Sequence, residues 1–216
     1  MWTGFAGMAL VFVGLVVARL LPPPSPGESA DQIAHFYQQH TTGIRLGTIL
    51  MGFGAALMAP WFGVITRMLR GIEGHGAATA YCQLALAALM VFEIVLPIAL
   101  IQVVAFRPDR APSDTLLLND IAMVLLISPA YTVIVEWLVT GVAILRDRGA
   151  VPVFPRWIGW VNIGTAVCSV PGVTVIFTHH GPWRWSGLFG FWLPAVVFGA
   201  WVVAMSAGLL RKKPAP

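Results

Sequence analysis

Six apolar runs, each about as long as a bilayer is thick, set the terms for everything else in this chain. They cover roughly residues 2–21, 43–69, 77–105, 120–145, 157–178 and 187–210. A helix needs about 20 apolar residues to cross a hydrocarbon layer of about 30 Å. Within that layer only a helix or a closed barrel satisfies every backbone N–H and C=O group. The runs lack the alternation of barrel strands. The expected fold is therefore all-α: a polytopic transmembrane bundle of six helices, forming a single domain over residues 1–216.

Composition agrees. Only 10% of residues are charged and 58% are hydrophobic, with a mean hydropathy of +0.82; a soluble domain carries about 25% charged residues. The deficit runs the whole length, so a soluble domain on a single anchor is excluded. The net charge is +4, but Lys and Arg sit at the ends of the apolar runs rather than on one basic face. That argues against nucleic acid and for membrane lipids, anionic ones in particular, as the partner. Met1-Trp2-Thr3-Gly4 lacks the basic n-region of a signal peptide, so the first run is expected to stay as a span.

Orientation follows from the Lys and Arg count between runs. Arg67, Arg70, Arg146, Arg148, Arg156, Arg211, Lys212 and Lys213 fall on one side, eight in all, and Arg19, Arg45, Arg107, Arg110 and Arg184 on the other, five in all. The richer side is expected to be cytoplasmic, with both termini inside.

The connectors are legible in places. Pro22-Pro-Pro-Ser-Pro-Gly27 cannot continue a helix and reads as a stiff extended link. Ser29-Ala-Asp-Gln32 has the capping-box pattern, and Ile33, Phe36 and Tyr37 mark one apolar face. A short external amphipathic helix over about 29–39 is expected, lying on the outer surface or folding over the bundle as a lid. Residues 106–119 read as an outer loop. Gly4, Gly7 and Gly14 in the first run, with Gly43-xxx-Gly47 and Gly52-xxx-Ala56 in the second, predict close helix packing. Cys82 and Cys168 lack metal-type spacing and are expected to pack as small core residues.

Two acids stand out. Glu93 and Glu136 lie deep within the third and fourth runs, each more than eight residues from another charged residue. A charge at that depth costs at least about 2.5 kcal/mol, so each acid is expected to be protonated, paired or facing a wet interior. Pro97 removes the helical hydrogen bond to the Glu93 carbonyl. Ser128, Thr132, Glu136 and Thr140 recur every four residues and form an inward polar stripe. Asn162, Thr165 and Ser169 make a second inward line on the fifth run. Helical rise places the two carboxyls about 8 Å apart in depth, with Asn162 level with Glu136 and expected to hydrogen-bond it. Arg45 is expected either to snorkel or to reach inward. His35, His40, His179 and His180 match no zinc spacing, and no phosphate-binding loop, dinucleotide fingerprint, nucleophile elbow or haem motif occurs. No metal and no cofactor is expected.

Ile44-Arg-Leu-Gly-Thr-Ile-Leu50 opens the second run and Phe154-Pro-Arg-Trp-Ile-Gly159 the fifth. With an outer Pro/Ser loop between the first two spans, this layout resembles small bacterial six-helix integral membrane proteins of unknown function. The resemblance implies a multi-pass protein of the bacterial inner (plasma) membrane. It implies no activity and no site residues.

The leading functional expectation is a polar-lined cavity between the third, fourth and fifth spans that binds or passes a hydrophobic small molecule, using Glu93 and Glu136. It requires that neither acid point at acyl chains or be sealed in a dry helix contact. Two alternatives remain open: an intramembrane isomerase or cyclase with one acid as proton donor, and a non-catalytic subunit whose acids pair with another membrane chain or a second copy of this one. An acid kept neutral and hydrogen-bonded between helices is the purely structural alternative for each carboxyl.

Overall fold

In the computed structural model, which describes residues 2–73, 76–128 and 130–211, the chain is helical throughout its ordered elements, with no strand among the described residues. The helices are α1 (Trp2–Val17), α2 (Ala30–Glu73), α3 (Ala78–Phe106), α4 (Pro112–Ile127), α5 (Ala130–Arg146), α6 (Arg156–Val173) and α7 (Leu193–Arg211). A 3-10 turn, Thr174–Phe177, extends α6, and a wide π turn, Leu188–Trp192, leads into α7. Five stretches are long and apolar enough to cross a membrane: Ala30–Glu73, Ala78–Phe106, Pro112–Arg146, Arg156–Phe177 and Leu188–Leu210. The helix Trp2–Val17 is apolar but shorter.

The expected boundaries shift at three places. α1 stops at Val17, not near residue 21. Arg19 adopts a left-handed conformation (φ 58°), and the Leu20 amide donates to the Leu15 carbonyl at 2.9 Å while its side chain is buried. That is a Schellman-type stop with its apolar clasp. At 16 residues the helix rises about 24 Å. The second change concerns the external helix expected over 29–39. The capping box forms, with the Ser29 amide donating to Gln32 Oε1 at 2.7 Å and the Gln32 amide to Ser29 Oγ at 3.3 Å. The helix it opens then runs directly into the second span. Its one non-helical residue is His40 (φ −111°, ψ 15°). Side chains stitch that break: Thr41 donates to the Tyr37 carbonyl at 2.7 Å, and His40 Nδ1 lies 2.9 Å from the Phe36 carbonyl oxygen. Ile33 and Tyr37 are fully buried, and the Tyr37 hydroxyl donates to Asn119 Oδ1 at 3.2 Å. The segment therefore packs over the bundle rather than lying free on a surface. Third, the expected outer loop over 106–119 is mostly helix, because Pro112 at the first turn and Asp114 beside it favour a helix start.

α1 and α2 run antiparallel, and their glycines face one another. A Cβ on Gly14 would lie 2.5 Å from the Gly47 carbonyl oxygen, and one on Gly47 would lie 2.4 Å from that of Gly14; Gly7 and Gly54 repeat the arrangement one layer along at 2.6 and 2.7 Å. The expected Gly52-xxx-Ala56 contact is not the one used, since a Cβ on Gly52 meets nothing within 4 Å. A second close crossing joins α5 to α6 at Gly141 and Gly159.

The buried apolar residues form two packed layers. One, at the Glu73–Ala78 and Arg146–Arg156 end, holds Trp61, Phe62, Leu69, Trp137, Ile158 and Trp201. The other, at the Arg19 end, holds Leu20, Ile33, Tyr37, Ile101, Met123 and Trp185. Trp185 Nε1 donates to the Pro24 carbonyl at 2.8 Å, fastening the loop before α7 to the proline-rich connector. Around the outside, Phe53, Phe92, Val167 and Val196 are more than half exposed at mid-helix. Contiguous apolar exposure of that kind is not a feature of soluble monomers. Cys82 and Cys168 depart from the core placement expected for them: Cys82 is exposed and Cys168 half-buried.

Candidate functional site

Between the two packed layers lies a cavity of about 220 Å³. Every helix contributes to its wall: Met8 and Phe12 of α1, Met51 of α2, Met90, Glu93 and Ile94 of α3, Leu126 of α4, Val133 and Trp137 of α5, Ser169 and Gly172 of α6, and Ala195 and Phe198 of α7. In each long helix these residues lie between the two core layers or at the edge of the first, to which Met90 and Trp137 belong, so the cavity sits at mid-bundle. Its lining side chains are hydrophobic apart from Glu93 and Ser169.

Glu93 is half-buried and accepts a hydrogen bond from the Thr132 hydroxyl on α5. Among the described lining residues it is the one ionisable side chain. Of the fourth-run stripe, Thr132 is half-buried and meets Glu93, Glu136 and Thr140 are fully buried, and the stripe then divides. Ser128 ends α4, its amide donating to the Val124 carbonyl. Pro129 lies outside the described residues, as do His75, Lys212 and Lys213. Glu136 and Thr140, one and two turns beyond Thr132, leave the cavity altogether.

Glu136 is fully buried and does not line the void. Its Oε1 accepts from Gln83 Nε2 at 3.1 Å and from the Thr140 hydroxyl at 3.2 Å. Gln83 Oε1 in turn accepts from the Thr66 hydroxyl at 2.6 Å. Thr66, Gln83, Glu136 and Thr140 thus form a dry polar chain tying α2, α3 and α5 together. This overturns the shared chamber for both acids: Glu136 is sealed in a helix contact, the condition under which the two-acid reading fails. Its Oε2 has no hydrogen-bond partner among the described residues.

Asn162 departs from expectation too. Its Nδ2 donates to the Ile158 carbonyl at 2.8 Å and lies 3.4 Å from Met205 sulfur, and its Oδ1 accepts from Trp201 Nε1 at 2.8 Å. It anchors the tryptophan cluster and does not reach Glu136; the helix α6 that carries it meets α5 through glycines, which present Gly141 rather than Glu136. Arg45 neither snorkels freely nor enters the bundle. Its Nε and Nη2 donate to the Ala105 carbonyl at 3.0 and 2.8 Å, and Nη2 to that of Phe106 at 3.2 Å. It closes the C-terminal end of α3, where unpaired carbonyls and the helix dipole favour a cation.

Two residues that no spacing pattern in the sequence singles out are Gln83, at the centre of the buried polar chain, and Trp137, on the cavity wall. Gln83 carried a signal, an amide inside an otherwise apolar run. Trp137 carried none, since a tryptophan in a span reads as bulk. Among the described residues, no three His, Cys, Asp or Glu side chains converge as metal ligands do. Comparison with family models, with curated proteins and with solved structures found no match, so the resemblance in layout brings no family with it.

Proposed function

We propose that this chain is an integral protein of the bacterial inner membrane, crossing it six times with both termini cytoplasmic, and that its mid-bundle cavity holds a hydrophobic small molecule. The sixth crossing would be α1, whose glycine face against α2 keeps it inside the bundle despite its length. The observation that carries the binding reading is the cavity itself: about 220 Å³, walled by all seven helices, apolar, and touched by one carboxyl that a neighbouring helix holds in place. Ligand sites are mostly apolar voids with a few fixed polar groups, and Glu93 with Thr132 supplies such a group. The occupant's apolar frame would lie against Phe12, Met51 and Phe198, with Glu93 setting its orientation.

A proton-transfer enzyme is less well supported, because Glu93 is the one ionisable side chain among the described lining residues and its carboxyl already accepts from Thr132. The test is saturable binding of tetralin, a compact bicyclic hydrocarbon, to the protein in lipid nanodiscs, read by saturation-transfer NMR. Ala195 lines the void, and Ala195→Phe should fill it. Saturable binding to the native chain and its loss in Ala195→Phe are expected. Equal signals from the two proteins would refute the site.

A further inference from the structure

The carboxyl at the cavity says more about what it takes. Glu93 stands on the inward face of α3: Met90 and Pro97, three residues before it and four after, are both buried, and residues so spaced share a helix face. Glu93 nonetheless keeps part of its surface open, and the space it borders is the cavity. On α5, Ala130 and Val133 line the same wall, so the hydrogen bond from Thr132 to Glu93 Oε1 holds the carboxyl between two lining helices. The second oxygen sets the two acids apart. Glu136 Oε2 is sealed in without a partner, and neither oxygen of Glu93 is in that state. No Lys, Arg or His is found among the described lining residues. Arg107, the nearest charged residue along the chain, comes 14 positions later, about 21 Å of helix, and Arg45 is engaged by the Ala105 and Phe106 carbonyls.

We propose that the chamber's occupant is a lipophilic cation, a protonated amine on a compact apolar frame, with its ammonium group received by the Glu93 carboxylate. This rests on the ligand-binding reading above and adds the ligand's chemical class. A carboxylate in apolar surroundings is costly unless a cation pairs with it. Thr132 gives Glu93 a hydrogen bond but no charge. An ionised carboxyl only accepts and an ammonium only donates, so the two complete one another. The rest of the wall favours the same class. Phe12, Trp137, Phe191 and Phe198 bring four aromatic rings to it, and ring faces attract cations. Size narrows the class further. An engineered apolar cavity of about 150 Å³ takes benzene; one of about 220 Å³ has room for a frame about one ring larger.

The matched probes are 2-aminotetralin and tetralin, which differ by the amine. A primary alkylamine, like the lysine side chain, keeps its proton up to about pH 10, so the first is a cation at pH 7. Binding of each, radiolabelled, is measured by equilibrium dialysis against the protein in nanodiscs, with protein-free nanodiscs correcting for partition into lipid and Ala195→Phe as the blank. A hydrogen bond to a charged group is worth a factor of about ten or more in affinity. The ammonium should bind about tenfold tighter than the hydrocarbon. In Glu93→Gln the affinity of the ammonium should fall to that of tetralin in the same variant. Saturable tetralin binding with no preference for the ammonium would overturn the cation proposal and leave the chamber standing. A preference that persists in Glu93→Gln would overturn the assignment to Glu93. Failure of both probes to bind would remove the chamber and this inference together. Should Glu93→Gln not fold, acidification of the native protein decides, because Glu93 is the one ionisable side chain among the described lining residues. Protonating it should erase the preference for the ammonium, and a preference that is the same from pH 8 to pH 4 would overturn the proposal.

Discussion

Replacing Gly47 by alanine should loosen the whole α1–α2 seam, and the structure gives the size of the effect. The added Cβ would sit 2.4 Å from the Gly14 carbonyl oxygen and 2.7 Å from both the Ala18 Cβ and the Ala18 amide nitrogen. Two of these three atoms are backbone, so no side chain can rotate away. The helices must part by most of an ångström, and the reciprocal Gly7–Gly54 contact one layer along opens with them. Association of helices in lipid rests on such close packing rather than on water exclusion. Overpacking of a well-packed contact costs about 1–3 kcal/mol, and the backbone nature of the clash argues for the upper half of that range. Gly52→Ala is the control: it lies on the same helix, and its Cβ meets nothing within 4 Å. Alanine's better helix propensity, about 1 kcal/mol, should leave that variant neutral or slightly stabilised. The assay is unfolding in mixed micelles of increasing SDS fraction, monitored by tryptophan fluorescence. Gly47→Ala should unfold at a clearly lower SDS fraction than the native chain. Equal midpoints for the Gly47 and Gly52 variants would refute the seam geometry.

Three further outcomes follow from the described contacts. Gln83→Leu strips Glu136 and the Thr66 hydroxyl of a buried partner and should destabilise by about 1–3 kcal/mol, whereas Glu136→Gln keeps an oxygen for Gln83 and Thr140 and should cost less; the same SDS titration ranks them, and the reverse order would show that the polar chain does not hold α2, α3 and α5. Arg45→Met keeps the aliphatic stem but leaves the Ala105 and Phe106 carbonyls uncapped, so a loss of about 1 kcal/mol with unchanged tetralin binding is expected, and loss of binding would place Arg45 at the site after all. With the native cysteines replaced, a cysteine at Gly149 should resist a membrane-impermeant maleimide applied outside and one at Asp109 should react; the opposite pattern would invert the topology.

Much of the architecture could be read before any coordinates, because apolar length is a strong and local signal. The third run, expected over 77–105, is helical over Ala78–Phe106, and the fifth, expected over 157–178, is helical over Arg156–Phe177. Boundaries failed where a local device outweighed hydropathy: the left-handed Arg19 turn shortened α1, and Thr41 and His40 carried α2 through the break between the expected external helix and the second run. The site was half legible. Glu93 and its partner Thr132 are visible as polar residues in apolar runs, but which acid faces a void is decided by packing between helices remote in sequence. Glu136 went to Gln83, 53 positions earlier, and Asn162 to Trp201, 39 positions later; no spacing rule within one run reports such pairings.

The central claim is that the bundle carries an apolar cavity between its two packed layers with Glu93 on its wall, and xenon reads this most directly, since it enters apolar cavities and avoids filled ones. Crystals of the protein held under xenon pressure should show a xenon peak between Phe12, Glu93 and Phe198, absent from crystals of Ala195→Phe. A native crystal with no peak there, its lining side chains packed against one another, would contradict the claim.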